Sequence, residues 1–228
     1  MAEKIAFIIP STSNEREWTN FNETYLNRII GKTIPKIYNI KLFVGYNEDD
    51  KLYSKLEERV DSIDNILIEW VSFTHEYKGN PCSIWNSLGD IAVGQGYEYL
   101  MVLGDDISMP ENPDWLWIFI NKLKENNNIG YTAGWSNNDQ IPTQFLIHKK
   151  HIEIFKFIYP PQIRNWQCDN FLYELYGKKG NWLKEYHLLN VGGKPRYTPD
   201  NCIKLKEILV KKHRKNLFKY LNKNKYLD

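Results

Sequence analysis

The stretch Tyr97-Glu-Tyr-Leu-Met-Val-Leu-Gly-Asp-Asp-Ile-Ser-Met109 constrains this chain more than any other. Tyr99 to Leu103 is a short apolar run, the length of a buried strand. It ends at Gly104, and two carboxylates, Asp105 and Asp106, follow at once. In α/β proteins ligands sit outside the carboxyl ends of parallel strands, so acids placed there face a crevice. Adjacent carboxylates repel each other unless something cationic stands beside them. A hard divalent cation carrying a phosphate suits the pair, since Mg²⁺ and Mn²⁺ take oxygen ligands and leave positions for substrate. The plainer reading is a polar turn after a buried strand.

The text before this stretch alternates between strand and helix. Ile5 to Ile9 is an apolar run closed by Pro10, and Ser11-Thr-Ser-Asn-Glu-Arg16 follows it as a polar loop. Helical text runs from Trp18 to about Ile30 and stops at Gly31. Ile40 to Gly45 is a second strand emptying into Tyr46-Asn-Glu-Asp-Asp50, then come a helix over about Lys51 to Val60 and a strand from Ile66 to Phe73. Asn80 and Pro81 are a good N-cap and first helical residue, and Gly94 and Gly96 can close that helix. Strands separated by helices predict βαβ units and a mostly parallel sheet.

After the Asp pair, Asn112-Pro113 opens a helix with Leu116, Phe119, Ile120 and Leu123 inward, broken at Asn126-Asn-Asn128. Gly130 to Trp135 and Gln144 to His148 read as short strands. Tyr159 to Asn170 reads as a loop delivering Asp169 to a helix over Phe171 to Tyr176. As a plain helix cap, Asp169 also makes sense, because acids are favoured at helix N-termini. Tyr186 to Tyr197 reads as a loop, and the text from Lys204 is helical and lysine-rich.

Composition excludes several classes. The 228 residues can bury a sizeable core, and 42% hydrophobic with 25% charged residues is ordinary for a globular chain. A net charge of +2 gives no electrostatic case for nucleic acid. Cys82, Cys168 and Cys202 are few and scattered, which argues for a reducing compartment and against a disulfide framework or a Cys-ligated zinc. The first apolar run is too short for a signal peptide and none approaches a membrane span. The expectation is a cytoplasmic protein.

Taken together, the order of elements over residues 5 to 197 resembles the GT-A class of nucleotide-sugar-dependent glycosyltransferases. Pro10-Ser-Thr-Ser13 matches the loop that holds the nucleotide, with Arg16 at its end. Gly45-Tyr-Asn-Glu-Asp-Asp50 matches the acidic loop that meets the base. Lys78-Gly-Asn80 and Asn86 match the helix before the metal strand. The class ends that strand in Asp-x-Asp; here Gly104 takes the first position, leaving Asp105 and Asp106. The Trp-x-Cys-Asp and Gly-x-Pro-Arg-Tyr phrases also resemble glycosyltransferase-like domains of large DNA viruses and bacteria; a viral source would make the expected cytoplasm that of a host.

The resemblance implies a single GT-A, Rossmann-like domain over 1–203, with a nucleotide half (1–103), a metal and acceptor half (104–203), a small antiparallel element, and a basic helical tail over 204–228. It implies Mn²⁺ or Mg²⁺ on Asp106 and His187, with Asp105 turned to the sugar or the metal. It implies a nucleotide-sugar donor, UDP-sugar first, and a hydroxyl acceptor. Tyr46 would stack on the base while Asn47 or Asp49 bonds its edge. Apart from the resemblance, Lys78, Arg164 and Arg196 could contact phosphate or stand as ordinary surface cations, and Trp135, Trp166 and Tyr197 could stack on an acceptor sugar or simply pack. Asp169 would be the base of an inverting displacement. The substitution at Gly104 keeps an inactive sugar-binding module as the alternative. Contact of the basic tail with an anionic membrane is weaker than its packing on the domain, because its periodicity breaks at Lys211 to Lys215.

Overall fold

The computed structural model describes residues 3–226 apart from 15, 31–33, 36–38, 56–59 and 193–196. Its centre is an eight-stranded sheet. In chain order the strands are β1 (Lys4–Pro10), β2 (Asn39–Asn47), β3 (Ser62–Ile63), β4 (Ile66–Phe73), β5 (Tyr99–Val102), β7 (Tyr131–Trp135), β8 (Phe145–His148) and β9 (Gly180–His187). They lie in the order β3-β4-β2-β1-β5-β8-β7-β9. The β4-β2-β1-β5 run is parallel, as is β7 with β9, whereas β3, β8 and their neighbours pair antiparallel. A separate two-stranded antiparallel sheet joins β6 (Ile107–Ser108) to β10 (Leu189–Asn190).

The central strands read as unbroken apolar runs because both faces are covered. In β1, Ala6 and Ile8 point into one core, with α1 (Pro81–Gly94), α4 (Cys168–Tyr176) and α5 (Ile203–Lys223) over it. Ile5, Phe7 and Ile9 point into the other, against α2 (Trp115–Glu125). A short α3 (Lys150–Phe155) adds Phe155 to the first core. The strand predictions hold to within two residues. In α1, Asn80 accepts a hydrogen bond from the Ser83 amide and Pro81 opens the helix. In α2, the four predicted inward residues are all buried, and Asn127 and Asn128 stop it in left-handed conformation.

Three predictions need correction. Trp18 to Ile30 is not one α-helix: Phe21–Glu23 is a 3₁₀ turn and Leu26–Ile30 a π-type turn. Asn20 and Thr24 bind nearby backbone through their side chains, which competes with a continuous helix. The segment after Asp50 folds as a turn over Lys51–Ser54, and residues 56–59 lie outside the described set, as does Gly31. The predicted loop from Tyr186 begins in strand: Tyr186 and His187 end β9, whose earlier residues carry no prediction, and Leu189–Asn190 is β10. The parallel ladder of β9 to β7 needs glycine at 130 and 134, where an added Cβ would lie 2.0 and 2.1 Å from the carbonyl oxygens of Lys179 and Tyr186.

Candidate functional site

Parallel strands β1, β2 and β5 end together; the chain leaves β1 for β2 on one side, and leaves β5, on the other side of β1, toward β7 and β8. That is the topological switch point where open α/β sheets hold ligands. A cavity of about 530 Å³ opens there. Pro10, Ser11 and Thr12 after β1, Asn47 at the end of β2, and Gly104 to Asp106 after β5 line it. Lys78 and Trp85 close one side, and the start of α4 brings Cys168 and Asp169 to the same space.

Two buried carboxylates build the loop after β1. Asp50 accepts from Thr12 Oγ1 (3.0 Å), Ser13 N (2.6 Å), Ser13 Oγ (2.5 Å), Leu52 N (3.0 Å) and Tyr53 N (2.8 Å). Asp105, wholly buried, accepts from Ser11 Oγ at 3.0 Å and Thr12 N at 3.4 Å. The sequence places Asp50 in an acidic loop without singling it out, because its partners in the loop after β1, Thr12 and Ser13, lie more than thirty-five residues upstream.

Arg16 holds the Asp pair from the side away from the cavity. Its Nη2 stands 3.9 Å from Asp105 Oδ1 and 3.7 Å from Asp106 Oδ2. Its Nη1 donates to the Gly192 carbonyl at 2.7 Å. The rings of Trp18 and Tyr25 flank the guanidinium at 5.1 and 4.8 Å, a cation–π setting. Gly192 passes so near Asp106 that an added Cβ would lie 1.6 Å from Oδ2. The Val191 amide donates to the Asp106 carbonyl at 2.9 Å, so the β6–β10 pair fixes this approach. Gly104 donates its N–H to Gln144 Oε1 at 3.0 Å, and a Cβ there would press on Asp106 Oδ1 at 3.1 Å.

Asp169 sits in the first turn of α4, reached through Gln167 in left-handed conformation. Burial pushes its carboxyl up to about 7, against the lowering effect of the Cys168 thiol, which donates to Oδ1 at 3.6 Å. A carboxyl tuned to that range is suited to take a proton near neutral pH.

Several predicted residues have other duties. Tyr46 is buried in an aromatic cluster with Tyr53 and Trp70 (centroids 6.2 and 6.1 Å) and does not line the cavity, so it cannot stack on a base there. Asn86 accepts from the Ile158 and Tyr159 amides (2.8 and 2.9 Å) and donates to the Tyr159 carbonyl at 2.8 Å. That clamp occupies its oxygen and one of its two N–H donors, and Asn86 is not among the lining residues. Ser13 is buried on Asp50, and Asp49 is exposed beside Lys78 Nζ at 3.4 Å. Trp135 and His187 lie tilted against each other, ring centroids 5.2 Å apart at 60°, and neither is among the lining residues. Arg196 lies outside the described residues; Tyr197 lines the cavity, whereas Arg164 and exposed Trp166 do not.

The divalent cation implied by the resemblance meets part of its expected donor set. Asp106 presents a carboxylate to the cavity, the hard oxygen donor that Mg²⁺ and Mn²⁺ take, and such ions complete their shells from phosphate and water. His187 does not join it: among the described residues no three His, Cys, Asp or Glu side chains gather as a metal-holding group.

No family model matches the chain, and no curated protein does. Solved structures do. The structure titled S. aureus TarS 1-349 in complex with UDP-GlcNAc is 12% identical with a TM-score of 0.55, the match covering 92% of this chain and 66% of that one. TarS 1-349 alone gives 12% and 0.54, covering 82% and 60%. Glucosyl-3-phosphoglycerate synthase from Mycobacterium tuberculosis, with Mn²⁺, UDP and phosphoglyceric acid, gives 9% and 0.50, covering 95% and 78%. The chain thus spans about 60% of TarS 1-349. At these identities the likeness is one of fold: a GT-A-like α/β domain with a mostly parallel sheet and a small antiparallel pair.

Proposed function

We propose that the protein transfers a sugar from a nucleoside-diphosphate sugar to a hydroxyl of a glycan or other acceptor, with inversion at the anomeric carbon. The observation that carries this reading is the convergence of Asp105–Asp106 and Asp169 on one cavity at the switch point. Solved structures of similar fold that contain UDP, UDP-GlcNAc or Mn²⁺ support it.

In this reading the nucleotide lies over Pro10 to Thr12, whose backbone Asp50 and Asp105 hold in place. Asn47 Oδ1 has no hydrogen-bond partner among the described residues and borders the cavity, so it can accept from a base N–H. Uracil N3–H offers that donor, as guanine N1–H also does; UDP is placed before GDP because solved structures of similar fold contain UDP. Lys78 Nζ, near the same rim, offers charge to the diphosphate as the glycosidic bond breaks. A divalent cation, Mn²⁺ or Mg²⁺, would be held by Asp106 and the donor's own phosphates, and would supply Lewis-acid neutralisation of the leaving group. Asp169 takes the acceptor proton. With one such carboxylate and no second nucleophile assigned, the acceptor oxygen attacks opposite the departing diphosphate.

The test is turnover of a panel of nucleotide sugars with and without Mn²⁺, with proton NMR of the product. UDP-sugar turnover with an inverted anomeric centre is the expected result. A retained centre would overturn the mechanism. Donor binding without turnover on any acceptor would favour the inactive sugar-binding module instead.

A further inference from the structure

The outer face of α5 is a basic surface interrupted by large apolar side chains. The helix runs for 21 residues from Ile203 to Lys223. Its inner face packs Leu209, Val210, Leu217 and Leu221 into the core. Lys206, buried, pairs with Glu174 of α4, and the Arg214 guanidinium donates to the Glu174 carbonyl. These contacts fix which side looks out. At 3.6 residues per turn, Ile208, Lys211, Lys212, Lys215, Phe218 and Lys219 share that outward side, and all six are exposed. The lysines at 211 to 215, which interrupt the apolar periodicity of the sequence, therefore stand on the solvent face, and Val210, His213 and Leu217 continue the buried one.

Ile208 and Phe218 are 64% and 56% exposed, and with Ile203 and Leu205 they make this helix the site of half the large exposed hydrophobics described. Glu207 is its only acid, against eight Lys and Arg. Like charge disfavours a second copy of the same face, so the partner is an anion. Ten residues separate Ile208 from Phe218, about 15 Å along a straight helix, so both can enter one flat surface together while the lysines flank them. Nucleic acid would meet the lysines but gain nothing from a bare isoleucine and phenylalanine.

We infer that the outer face of α5 docks on an anionic lipid surface, lysines on the headgroups and Ile208 and Phe218 in the interface. This does not depend on the reaction assigned to the cavity. Its consequence is positional: α5 is packed on α4, the helix that carries Asp169, so docking holds the cavity at a fixed attitude to the membrane.

The test is co-sedimentation of the full chain with phosphatidylcholine vesicles, with and without phosphatidylserine, at low and high salt. Binding should need phosphatidylserine and weaken with salt. Replacing Lys211, Lys212 and Lys215 by Gln should lower the partition coefficient by about a hundredfold, at roughly fivefold per lysine. Ile208→Ser with Phe218→Ser should lower it at unchanged charge, with circular dichroism showing the helix retained. No difference between the two lipids, or binding that survives either set of substitutions, overturns the inference. So does tighter binding to duplex RNA or DNA that ignores Ile208→Ser and Phe218→Ser.

Discussion

If Asp169 is the base, the pH dependence of turnover is set by its burial. An ordinary carboxyl titrates near pH 4, and a base of that kind would give a flat profile from about pH 6 to about pH 8. Burial at the start of α4 raises Asp169 to about 7. A carboxyl of that pKa is about one-eleventh ionised at pH 6, half at pH 7 and about ten-elevenths at pH 8, so kcat/KM should rise about tenfold across the interval and then level. Asp169→Asn keeps the shape at the helix start, removes the base, and should cost about 10²–10⁴ in turnover. The residual rate should lose the rise.

Stability moves the other way. Because the folded value lies above the unfolded one, this group's contribution is fully present below about pH 4 and is lost as pH rises through about 7. Unfolding in urea should therefore show Asp169→Asn gaining on the wild type over that window, by at most about 4 kcal/mol for a shift of this size, and by less to the extent that cavity water solvates the carboxylate. A wild-type profile that is flat from pH 6 to pH 8, or near-normal turnover of Asp169→Asn, refutes the assignment.

Asp106→Ala should weaken nucleoside-diphosphate binding sharply in calorimetry and EDTA should mimic it; equal affinity with and without chelator removes the cation from the site. Asp50→Asn replaces an acceptor of five hydrogen bonds by a group that brings two donors, and should lower urea stability by on the order of 3 kcal/mol; an unchanged midpoint would show that the loop after β1 is held by something else. Asn86→Ala should cost roughly 2 kcal/mol through the freed Ile158 and Tyr159 amides and leave the UDP dissociation constant within about twofold. A large loss of UDP affinity with normal stability would restore Asn86 to the donor site.

The elements that could be read from the sequence are those whose signal is local. A strand buried on both faces is an apolar run, and Asn80-Pro81 marks a helix start in two residues. Strand β9 carries no such mark. It is half-exposed along most of its length, without alternation, and its place is set by glycines fifty residues earlier. The same distinction runs through the site. Pro10, Ser11, Thr12, Asn47, Lys78, Asp105, Asp106 and Asp169 all reach the cavity because strand ends and one helix start put them there. What Tyr46, Ser13 and Asn86 do depends on partners that sequence order does not reveal: an aromatic cluster, a carboxylate in the turn after β2, and a turn seventy-two residues away.

Acidic residues near a strand end are easily taken as equivalent, and here they are not. Asp50 and Asp105 are fully buried and spend their oxygens on the backbone and hydroxyls of one loop. Asp105 also lines the cavity, whereas Asp50 acts on it through the loop after β1. Asp106 differs because Gly104 before it and Gly192 opposite it leave room for a carboxylate pressed between two backbones, with Arg16 on its far side. A Cβ at 104 would approach Asp106 Oδ1 to 3.1 Å, a tight contact that asks the carboxylate to give by a few tenths of an ångström. The glycine in the place of the expected acid therefore eases the fit of Asp106, and is not by itself a sign that the site is dead.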